Sequence, residues 1–299
     1  MRKRWLLAIG LMSISLNAAE WVSEELYKDW KQVFKIEKIL YRESTEFQEM
    51  VLFQNPIWGR VLVLDEVIQL TEKDEFIYHE MMTHVPLVTH RKVESVLVIG
   101  GGDGGILREV LKHDSVKRIV LVEIDPEVIH FSKLYLPFVS KGSLDDPRVE
   151  IVIQDGMEFV KESNEHFDVI LCDSTDPEGP GAVLFTDAFY GYCKGMLNPG
   201  GIFVNQAGVP ALQGAELKMI YNNLKKNFKD VTFYLGVVPT YVGGYMAFGF
   251  ATDGTILQDL DERGLEVRIQ QIKGEMLYYN AKIHKACFAL PNCLVNTMQ

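Results

Sequence analysis

The sequence has little positive charge, few cysteines and few long apolar runs. Its 299 residues include 30 Lys and Arg against 41 Asp and Glu, which gives a formal net charge of −11. Acidic proteins repel nucleic acids and anionic membranes, so neither nucleic acid nor stable membrane association is expected, and cationic ligands are favoured. The 4 cysteines show no CxxC spacing, and we expect no metal site.

The cysteines do not identify the redox compartment. Cys172 and Cys193 lie in apolar stretches and are predicted to be buried free thiols. A disulfide between Cys287 and Cys293 is an option that nothing in the sequence demands.

A short apolar run occurs at the N terminus. Residues 1–19 read MRKRW, then LLAIGLMSISL, then NAA, which is the order of a secretory signal peptide. The run is too short for a permanent membrane-spanning helix. The alternatives are an upstream extension of the reading frame and an apolar arm that packs on the body of the protein.

Residues 20–92 are predicted to form a small N-terminal domain of antiparallel strands with a linking helix. The segments FKIEKILY, FQEMVLF, GRVLVLD and EVIQLT are short, rich in β-formers and separated by turn residues. The following segment has helical spacing, and Pro86 is expected to end or kink that helix. The apolar residues expected to share one helix face are Phe76, Ile77, Met81, Val85 and Leu87.

Residues 93–299 alternate between strand and helix patterns. Apolar segments such as VESVLVIG, RIVLVEID, VEIVIQDG and FDVILCD are each followed by a helical segment. This order predicts an α/β domain, a Rossmann-like sheet that is largely parallel with helices on both faces. The segments DVTFYLGVVPTY and YMAFGFATD predict a closing antiparallel pair, which makes the sheet mixed.

The first strand of this domain runs into a glycine-rich loop. Gly100, Gly102 and Gly105 fit the pattern G-x-G-x-x-G between a strand and a helix. This pattern does not distinguish a dinucleotide site from an S-adenosyl site. Asp103, however, would repel a pyrophosphate at the helix N-terminus and attract a sulfonium or ammonium group.

The next two strand ends also carry acids. Glu123 follows the glycines by about twenty residues, where an acid commonly accepts bonds from ribose hydroxyls. Asp155 is suited to accept from an adenine amine, and Gly156 leaves room for the ring. Taken alone, each could be a solvent-facing turn residue; together they favour an adenosine.

The fourth strand ends in CDSTDPEGPG, with Asp173 and Asp176 three residues apart and no basic neighbour. An isolated pair of this kind could cap a turn. Ligands of such sheets, however, bind at the carboxyl ends of the strands, where these acids join three others. Crowded carboxylates favour a bound polycation. A metal site is the competing interpretation, but the sequence has no DxDxDG pattern.

These motifs together resemble the polyamine aminopropyltransferases, in particular the bacterial spermidine synthases. The resemblance rests on GGGDGGILREVLKH, VEIDPEVI, QDGMEFV, CDSTDPEGP and GRVLVLDEVIQLTEKDEFIYHEMMTHVPL, with LYYNAKIHKACFALP near the C terminus. It covers about residues 20–295 and implies a class I S-adenosylmethionine-type fold. The implied activity transfers an aminopropyl group from decarboxylated S-adenosylmethionine, a cosubstrate, to putrescine. Spermidine and 5′-methylthioadenosine are the implied products, and no prosthetic group is expected.

The resemblance also implies a role for each acid. Asp173 would accept the proton that the attacking amine loses, and Asp103 would bind the ammonium of the aminopropyl arm. Glu123 would hold the ribose, and Asp155 with Gly156 the adenine.

Further site residues follow from the resemblance alone. On the residues by themselves, Tyr78 and Tyr241 fit core aromatics equally well, and His79 fits a structural histidine better. The additional residues implied for the polyamine are Tyr78, His79, Ser174, Thr175, Asp176, Gln206 and Tyr241, and those implied for the adenosyl donor are Gln48, Gly100, Gly102 and Pro180.

The sequence departs from the family pattern in two places. Ala182 and Val183 stand where Glu-Ser is common, and Ala207 replaces a residue that is usually polar. These changes put the acceptor preference and the dynamics of the covering loop in question. The family resemblance implies a homodimer or homotetramer in the cytoplasm, whereas a working signal in residues 1–19 would imply export.

Several other functions remain open on the sequence. An aminopropyltransferase acting on cadaverine, agmatine or spermidine would show the same sequence motifs. A methyltransferase would need room for a donor carboxylate, which Asp103 opposes, and an NAD-dependent oxidoreductase leaves Asp173 and Asp176 unexplained. A non-catalytic polyamine-binding protein is the alternative from a different class.

Overall fold

The structure is a computed structural model that describes residues 20–24, 26–27, 29–90, 92–177, 179–254 and 261–299, except for the side chain of Pro180. The predicted leader, residues 1–19, lies outside the described residues. Among the helices of the described part, none is both long and apolar enough to cross a bilayer.

Two small antiparallel sheets open the described chain. Strands β1 (Glu20–Ser23) and β2 (Val33–Ile36) form a two-stranded sheet. A four-stranded sheet follows, with its strands in chain order because each is joined to the next by a short turn. Its strands are β3 (Lys38–Ser44), β4 (Glu49–Asn55), β5 (Gly59–Leu64) and β6 (Val67–Thr71).

Helix α1 (Glu75–Thr89) links these sheets to the rest of the chain and is almost entirely buried. The five apolar residues expected to share a face all belong to or pack against one apolar cluster. The rest of α1 is buried as well, and Phe76 is the single residue of the helix that is not buried. Of the two outcomes expected for Pro86, the helix end is wrong, since α1 continues to Thr89, and the kink stays a prediction. The stabilisation from packing on all sides of the helix outweighs the loss of the backbone hydrogen bond that Pro86 cannot donate.

A seven-stranded mixed sheet forms the larger part of the protein and confirms the predicted Rossmann-like class. The strands lie in the order β12-β13-β11-β10-β7-β8-β9, and the closing pair β12 and β13 is antiparallel, as predicted. The strands are β7 (Ser95–Gly100), β8 (Arg118–Glu123), β9 (Val149–Ile153), β10 (Phe167–Asp173), β11 (Leu197–Gly208), β12 (Asp230–Val237) and β13 (Tyr245–Thr252).

Helices cover both faces of this sheet. Along β7, Val96 and Val98 pack into one apolar cluster, while Leu97 and Ile99 pack into another, because successive side chains point to opposite faces. The helices are α2 (Gly105–Val110), α3 (Pro126–Tyr135), α4 (Pro137–Ser140), α5 (Gly156–Glu162), α6 (Asp187–Gly195), α7 (Gly214–Asn227), α8 (Glu262–Ile269), α9 (Ala281–Ala286) and α10 (Asn292–Thr297), with 3-10 turns at Ser143–Asp145 and Gly179–Phe185.

The strand order reverses between β7 and β10. Strand β7 pairs with β8 on one side and with β10 on the other, and Gly100 lies beside Asp173 in the register. This topological switch point is where α/β sheets commonly open a ligand crevice. The glycine loop and the acids that follow β10, Asp173 and Asp176, therefore share one edge of the sheet.

The cysteines are free thiols. Cys172 and Cys193 are buried, as predicted. The optional disulfide is not formed, because Cys287 is buried in the core whereas Cys293 is exposed.

Candidate active site

A cavity of about 460 Å³ opens at the carboxyl ends of the central strands, under the four-stranded sheet. Its wall combines residues of the four-stranded and seven-stranded sheets with residues of α1. All but one of the site residues named from the sequence line this cavity: Gln48, Tyr78, His79, Gly100, Gly102, Asp103, Glu123, Asp155, Gly156, Asp173, Ser174, Thr175, Asp176, Gln206 and Tyr241. The exception is Pro180, whose side chain lies outside the described residues.

The glycine loop is shaped by contacts within the protein as well as by room for a ligand. A Cβ at Gly100 would lie 2.0 Å from the carbonyl oxygen of Asp173, and the φ of Gly100 is +77°. A Cβ at Gly105 would lie 2.3 Å from the His79 ring. These two glycines therefore let the backbone approach Asp173 and His79 closely.

Glu123 lies at the end of β8 and is buried against the glycine loop. Its carboxylate accepts backbone N–H bonds from Gly102 at 3.2 Å and from Asp125 at 3.0 Å. Burial, with a smaller contribution from the Asp125 carboxylate, raises the pKa of Glu123 to about 7. The backbone N–H bonds lower this pKa but do not outweigh burial. A buried acceptor in this position fits a hydroxyl donor in the cavity.

Asp155 begins helix α5 at the end of β9. Its Oδ1 accepts from the N–H groups of Met157 at 2.7 Å and Glu158 at 3.1 Å, so this side chain caps the helix. Across the cavity, Gln48 reaches from the four-stranded sheet and donates to Asp125 at 3.1 Å. The small sheet thus contributes a polar group to the same end of the cavity.

Asp173 ends β10 and meets the hydroxyl of Tyr78 from α1. The Tyr78 hydroxyl donates to Asp173 Oδ1 at 2.5 Å. Burial first, and then the nearby carboxylate of Asp103, raise the pKa of Asp173 to about 6, while Tyr78 and His79 oppose that rise. A carboxylate with such a pKa is a competent proton acceptor near neutral pH.

Asp103 has a different environment from Asp173, although both face the cavity. Its Oδ1 accepts from the backbone N–H of Gly105 at 2.5 Å and lies 3.5 Å from Nε2 of His79. Burial alone would raise the pKa of Asp103, but His79 and the Gly105 N–H outweigh burial and lower it. Asp103 therefore stays ionised where Asp173 can take up a proton.

The sequence had indicated acids without a basic partner, and the structure supplies one from a distant segment. The His79 ring is buried between Asp103 and Glu75, whose Oε2 lies 2.5 Å from Nδ1. These two carboxylates raise the pKa of His79 to about 10 despite its burial. No loop motif revealed this cation, because it comes from α1.

The other predicted polar residues line the wall beside Asp173. Gln206 donates to the Thr175 carbonyl at 3.0 Å, and Tyr241 donates to the Gln69 carbonyl at 2.8 Å. Ser174 Oγ and Gln206 Oε1 are buried without a hydrogen-bond partner in the described part of the chain. Such groups are costly unless a ligand or water satisfies them.

Several wall residues were missed from the sequence, among them Glu24 and Gln69. Glu24 lies just after β1, is only 3% exposed, and accepts from Gln32 at 3.0 Å and from the N–H of Ile68 at 3.1 Å. Gln69 lies on β6. Neither belongs to a strand-end motif; an acid within the short strand pattern WVSEE was the only available signal for Glu24.

The three departures from the family pattern occupy different environments. Ala182 is exposed in the 3-10 turn Gly179–Phe185, while Val183 lines the cavity. Ala207 is buried in the apolar cluster on one face of the large sheet. Val183 is therefore the departure that faces the cavity.

In the described ranges, no group of three or more His, Cys, Asp or Glu residues is arranged to hold a metal ion.

Fold and cavity together define a Rossmann-like transferase with an acid-lined site at the switch point. Residues 75–260 match the family model described as spermine/spermidine synthase domain, and residues 20–72 match the spermidine synthase tetramerisation domain. The chain therefore belongs to the spermine/spermidine synthase family and is an aminopropyltransferase.

Curated relatives and solved structures agree with this assignment. Polyamine aminopropyltransferases of Serratia proteamaculans (strain 568) and Yersinia pseudotuberculosis are each 50% identical over 275 residues, covering 92% of this chain and 96% and 93% of theirs. A crystal structure of spermidine synthase with the transition state analogue AdoDATO is similar with a TM-score of 0.88 at 40% identity, covering 93% of this chain and 94% of that chain. Spermidine synthase from Thermotoga maritima gives a TM-score of 0.85 at 37% identity with the same coverage.

Proposed function

We propose that the protein is a spermidine synthase that transfers the aminopropyl group of decarboxylated S-adenosylmethionine to putrescine. The amine nitrogen attacks the carbon beside the sulfonium, the C–N bond forms, and the C–S bond breaks with its electron pair going to sulfur. The products are spermidine, 5′-methylthioadenosine and a proton. Because the sulfonium is already a good leaving group, the enzyme mainly has to position the amine and remove its proton.

The observation that carries this proposal is the pair formed by Asp173 and Tyr78 on the cavity floor. An alkylammonium has a pKa of roughly 10 and is no nucleophile until it loses a proton. Asp173, whose pKa is raised to about 6 by burial and by Asp103, is a suitable acceptor for that proton. Tyr78, which donates to Asp173 at 2.5 Å, orients the carboxylate.

The proposed donor site extends from β8 and β9 along the glycine loop to Asp103, whose carboxylate interacts with Asp173. Glu123 accepts from the ribose hydroxyls, and Asp155 with Gly156 receives the adenine. Asp103, with a lowered pKa, binds the ammonium of the aminopropyl arm. A dinucleotide is disfavoured because its pyrophosphate would meet Asp103. Gln48, Gly100, Gly102 and Pro180 complete this proposed site.

The proposed acceptor site lies between β10 and the small sheets. Ser174, Thr175, Asp176, Gln206 and Tyr241 form its wall beside Tyr78 and His79. Glu24 and Gln69 line the same cavity, and the Asp176 carboxylate helps to raise the pKa of Glu24, so the two carboxylates are close enough to interact. Several carboxylates along this wall fit a diamine with one reacting and one resting ammonium.

Product analysis tests the proposal directly. Pure protein is incubated with decarboxylated S-adenosylmethionine and, in parallel, with putrescine, cadaverine, agmatine or spermidine, and 5′-methylthioadenosine is quantified. The highest kcat/KM with putrescine is the expected result. A higher kcat/KM with another amine would make that amine, and not putrescine, the acceptor. No turnover with any amine would favour a non-catalytic polyamine-binding protein.

We further propose that the protein is a homo-oligomer of the cytoplasm. The match of residues 20–72 to a tetramerisation domain supports assembly, as do exposed apolar side chains on the small sheets, such as Trp21 at 56% and Val33 at 60% exposure. Light scattering measures the assembly, and a monomer would refute it. Mass spectrometry of the mature N terminus in fractionated cells tests the location against export.

A further inference from the structure

Behind the cavity lies a buried ionic cluster that no step of the proposed mechanism uses. It consists of Glu75, Arg108, Glu109, His84 and Lys112, on α1, on α2 and just after α2. Neither Glu75 nor Arg108 is among the residues that line the cavity. Burying several charged groups is costly, so such a cluster invites a functional explanation.

Glu75 is held rigidly by Arg108. The two terminal nitrogens of the guanidinium donate to the two carboxylate oxygens of Glu75 at 2.9 and 3.0 Å. Arg108 is fixed in turn by Glu109 at 2.7 Å and by the Val139 carbonyl at 2.6 Å. A bidentate pair with both partners buried leaves the carboxylate little freedom.

Glu75 in turn orients His79, one helical turn later. Its Oε2 lies 2.5 Å from Nδ1 of the ring, which directs Nε2 toward Asp103 at 3.5 Å. The ring also fits against Gly105, where a Cβ would lie 2.3 Å away. Ionised carboxylates only accept hydrogen bonds, so the Glu75 contact calls for an N–H on Nδ1, and the Asp103 carboxylate 3.5 Å from Nε2 favours an N–H on that nitrogen as well.

We propose that Glu75 is a positioning residue for aminopropyl transfer. Held by Arg108, Glu75 keeps His79 as an imidazolium that faces Asp103. Asp103 therefore remains the fixed anion for the donor's ammonium, while Asp173 accepts the proton. This inference rests on the proposed function. The charged groups that interact with His79 are Glu75 on its own helix, Asp103 from the β7–α2 segment, and Asp173 from β10. Two carboxylates in one cavity thereby receive different tasks.

Histidine NMR on the unmodified full chain gives the first test. With ¹³Cε1-labelled histidine and the signal assigned by its loss in His79→Asn, His79 should stay protonated from about pH 6 to about pH 9. Titration of His79 near its ordinary pKa would overturn the inference. This measurement needs neither turnover nor a folded Glu75 variant.

The variant Glu75→Gln gives the second test, because it keeps the side-chain size and removes the charge. We expect the His79 signal to titrate within that pH range and the KM for decarboxylated S-adenosylmethionine to rise about tenfold. The affinity for 5′-methylthioadenosine, which has no ammonium, should change less than about twofold, since its contacts avoid Asp103. Equal weakening of both ligands would contradict the assigned role.

Glu109→Gln is the matched control. It removes the same charge from the same cluster and also breaks a bond to Arg108, but Glu109 has no contact with His79. We expect Glu109→Gln to lose about as much thermal stability as Glu75→Gln. The KM for the donor divided by the Kd for 5′-methylthioadenosine should stay as in the unmodified protein. A change in this quotient would overturn the inference, because it would show that general destabilisation of the cluster is enough to weaken donor binding. Absence of turnover in the unmodified protein would instead refute the proposed function.

Discussion

The two ends of the cavity hold their carboxylates by different means. At the end formed by β8 and β9, Glu123 and Asp155 accept bonds from backbone N–H groups of their own strand–helix turns or of the glycine loop. At the end formed by β10, Asp173 meets a side chain of α1, and Asp103 meets both a backbone N–H and His79. We call these the β8–β9 end and the β10 end.

This difference has a chemical consequence. Backbone donors hold a carboxylate in place without adding a formal charge, which suits recognition of neutral hydroxyl and amine groups. At the β10 end the two pKa values are shifted in opposite directions: His79 lowers that of Asp103, whereas burial and the Asp103 carboxylate raise that of Asp173. We therefore propose that the β8–β9 end binds the neutral part of the ligand and that the β10 end handles charge and protons.

The largest expected effect lies at the β10 end. Asp173→Asn should lower kcat by about 10³-fold, because the amide cannot accept the proton of the attacking amine. Steady-state kinetics measure the loss, and calorimetry should find 5′-methylthioadenosine bound as before. Equal kcat values for the two proteins would refute proton acceptance by Asp173.

A second variant tests the β8–β9 end. Glu123→Gln should weaken 5′-methylthioadenosine binding by about 10- to 100-fold, since charge-assisted bonds to the ribose are lost. Calorimetry gives this affinity. Turnover at saturating donor should fall far less than in Asp173→Asn; the opposite pattern would reverse the roles of the two ends.

The pH dependence should separate the two ends as well. Glu123 has a pKa raised to about 7, so affinity for 5′-methylthioadenosine should fall about tenfold from pH 8 to pH 6 as the carboxylate becomes protonated. Asp173 has a pKa raised to about 6 in the free protein, so kcat/KM for the amine should fall about tenfold from its plateau to pH 5 for the same reason. Both losses occur on acidification because each group works as a carboxylate. Binding in Glu123→Gln that kept the pH dependence would assign that titration to another group.

The smallest expected effect concerns Asp155. Asn caps a helix as well as Asp, so Asp155→Asn should leave the melting temperature unchanged while weakening 5′-methylthioadenosine binding about threefold to tenfold. Asp155→Ala removes the cap as well and should cost about 1 kcal/mol of stability. Thermal melts and calorimetry on both variants distinguish capping from ligand recognition. Unchanged affinity in Asp155→Asn would reduce Asp155 to a helix cap.

Much of the fold followed from local patterns. Apolar strands alternating with helical segments predicted a sheet covered on both faces, and the seven-stranded sheet confirms it. The strand-end residues Asp103, Glu123, Asp155 and Asp173 lie around one cavity because parallel strands bring their carboxyl ends to one edge. The continuation of α1 past Pro86 was not predictable locally, because burial on all sides overrides the weak helix propensity.

The sequence by itself determined which acids would meet, since each one follows its own strand. It did not determine what would lie between them. Tyr78 is 95 positions from Asp173, and Glu24 comes from the N-terminal sheets. The docking of α1 across the strand ends places Tyr78 and His79 among the acids, and it buries Glu75 against Arg108 behind them. Only packing between distant segments sets such distances, and with them the burial and charge that decide which carboxylate keeps or takes up a proton.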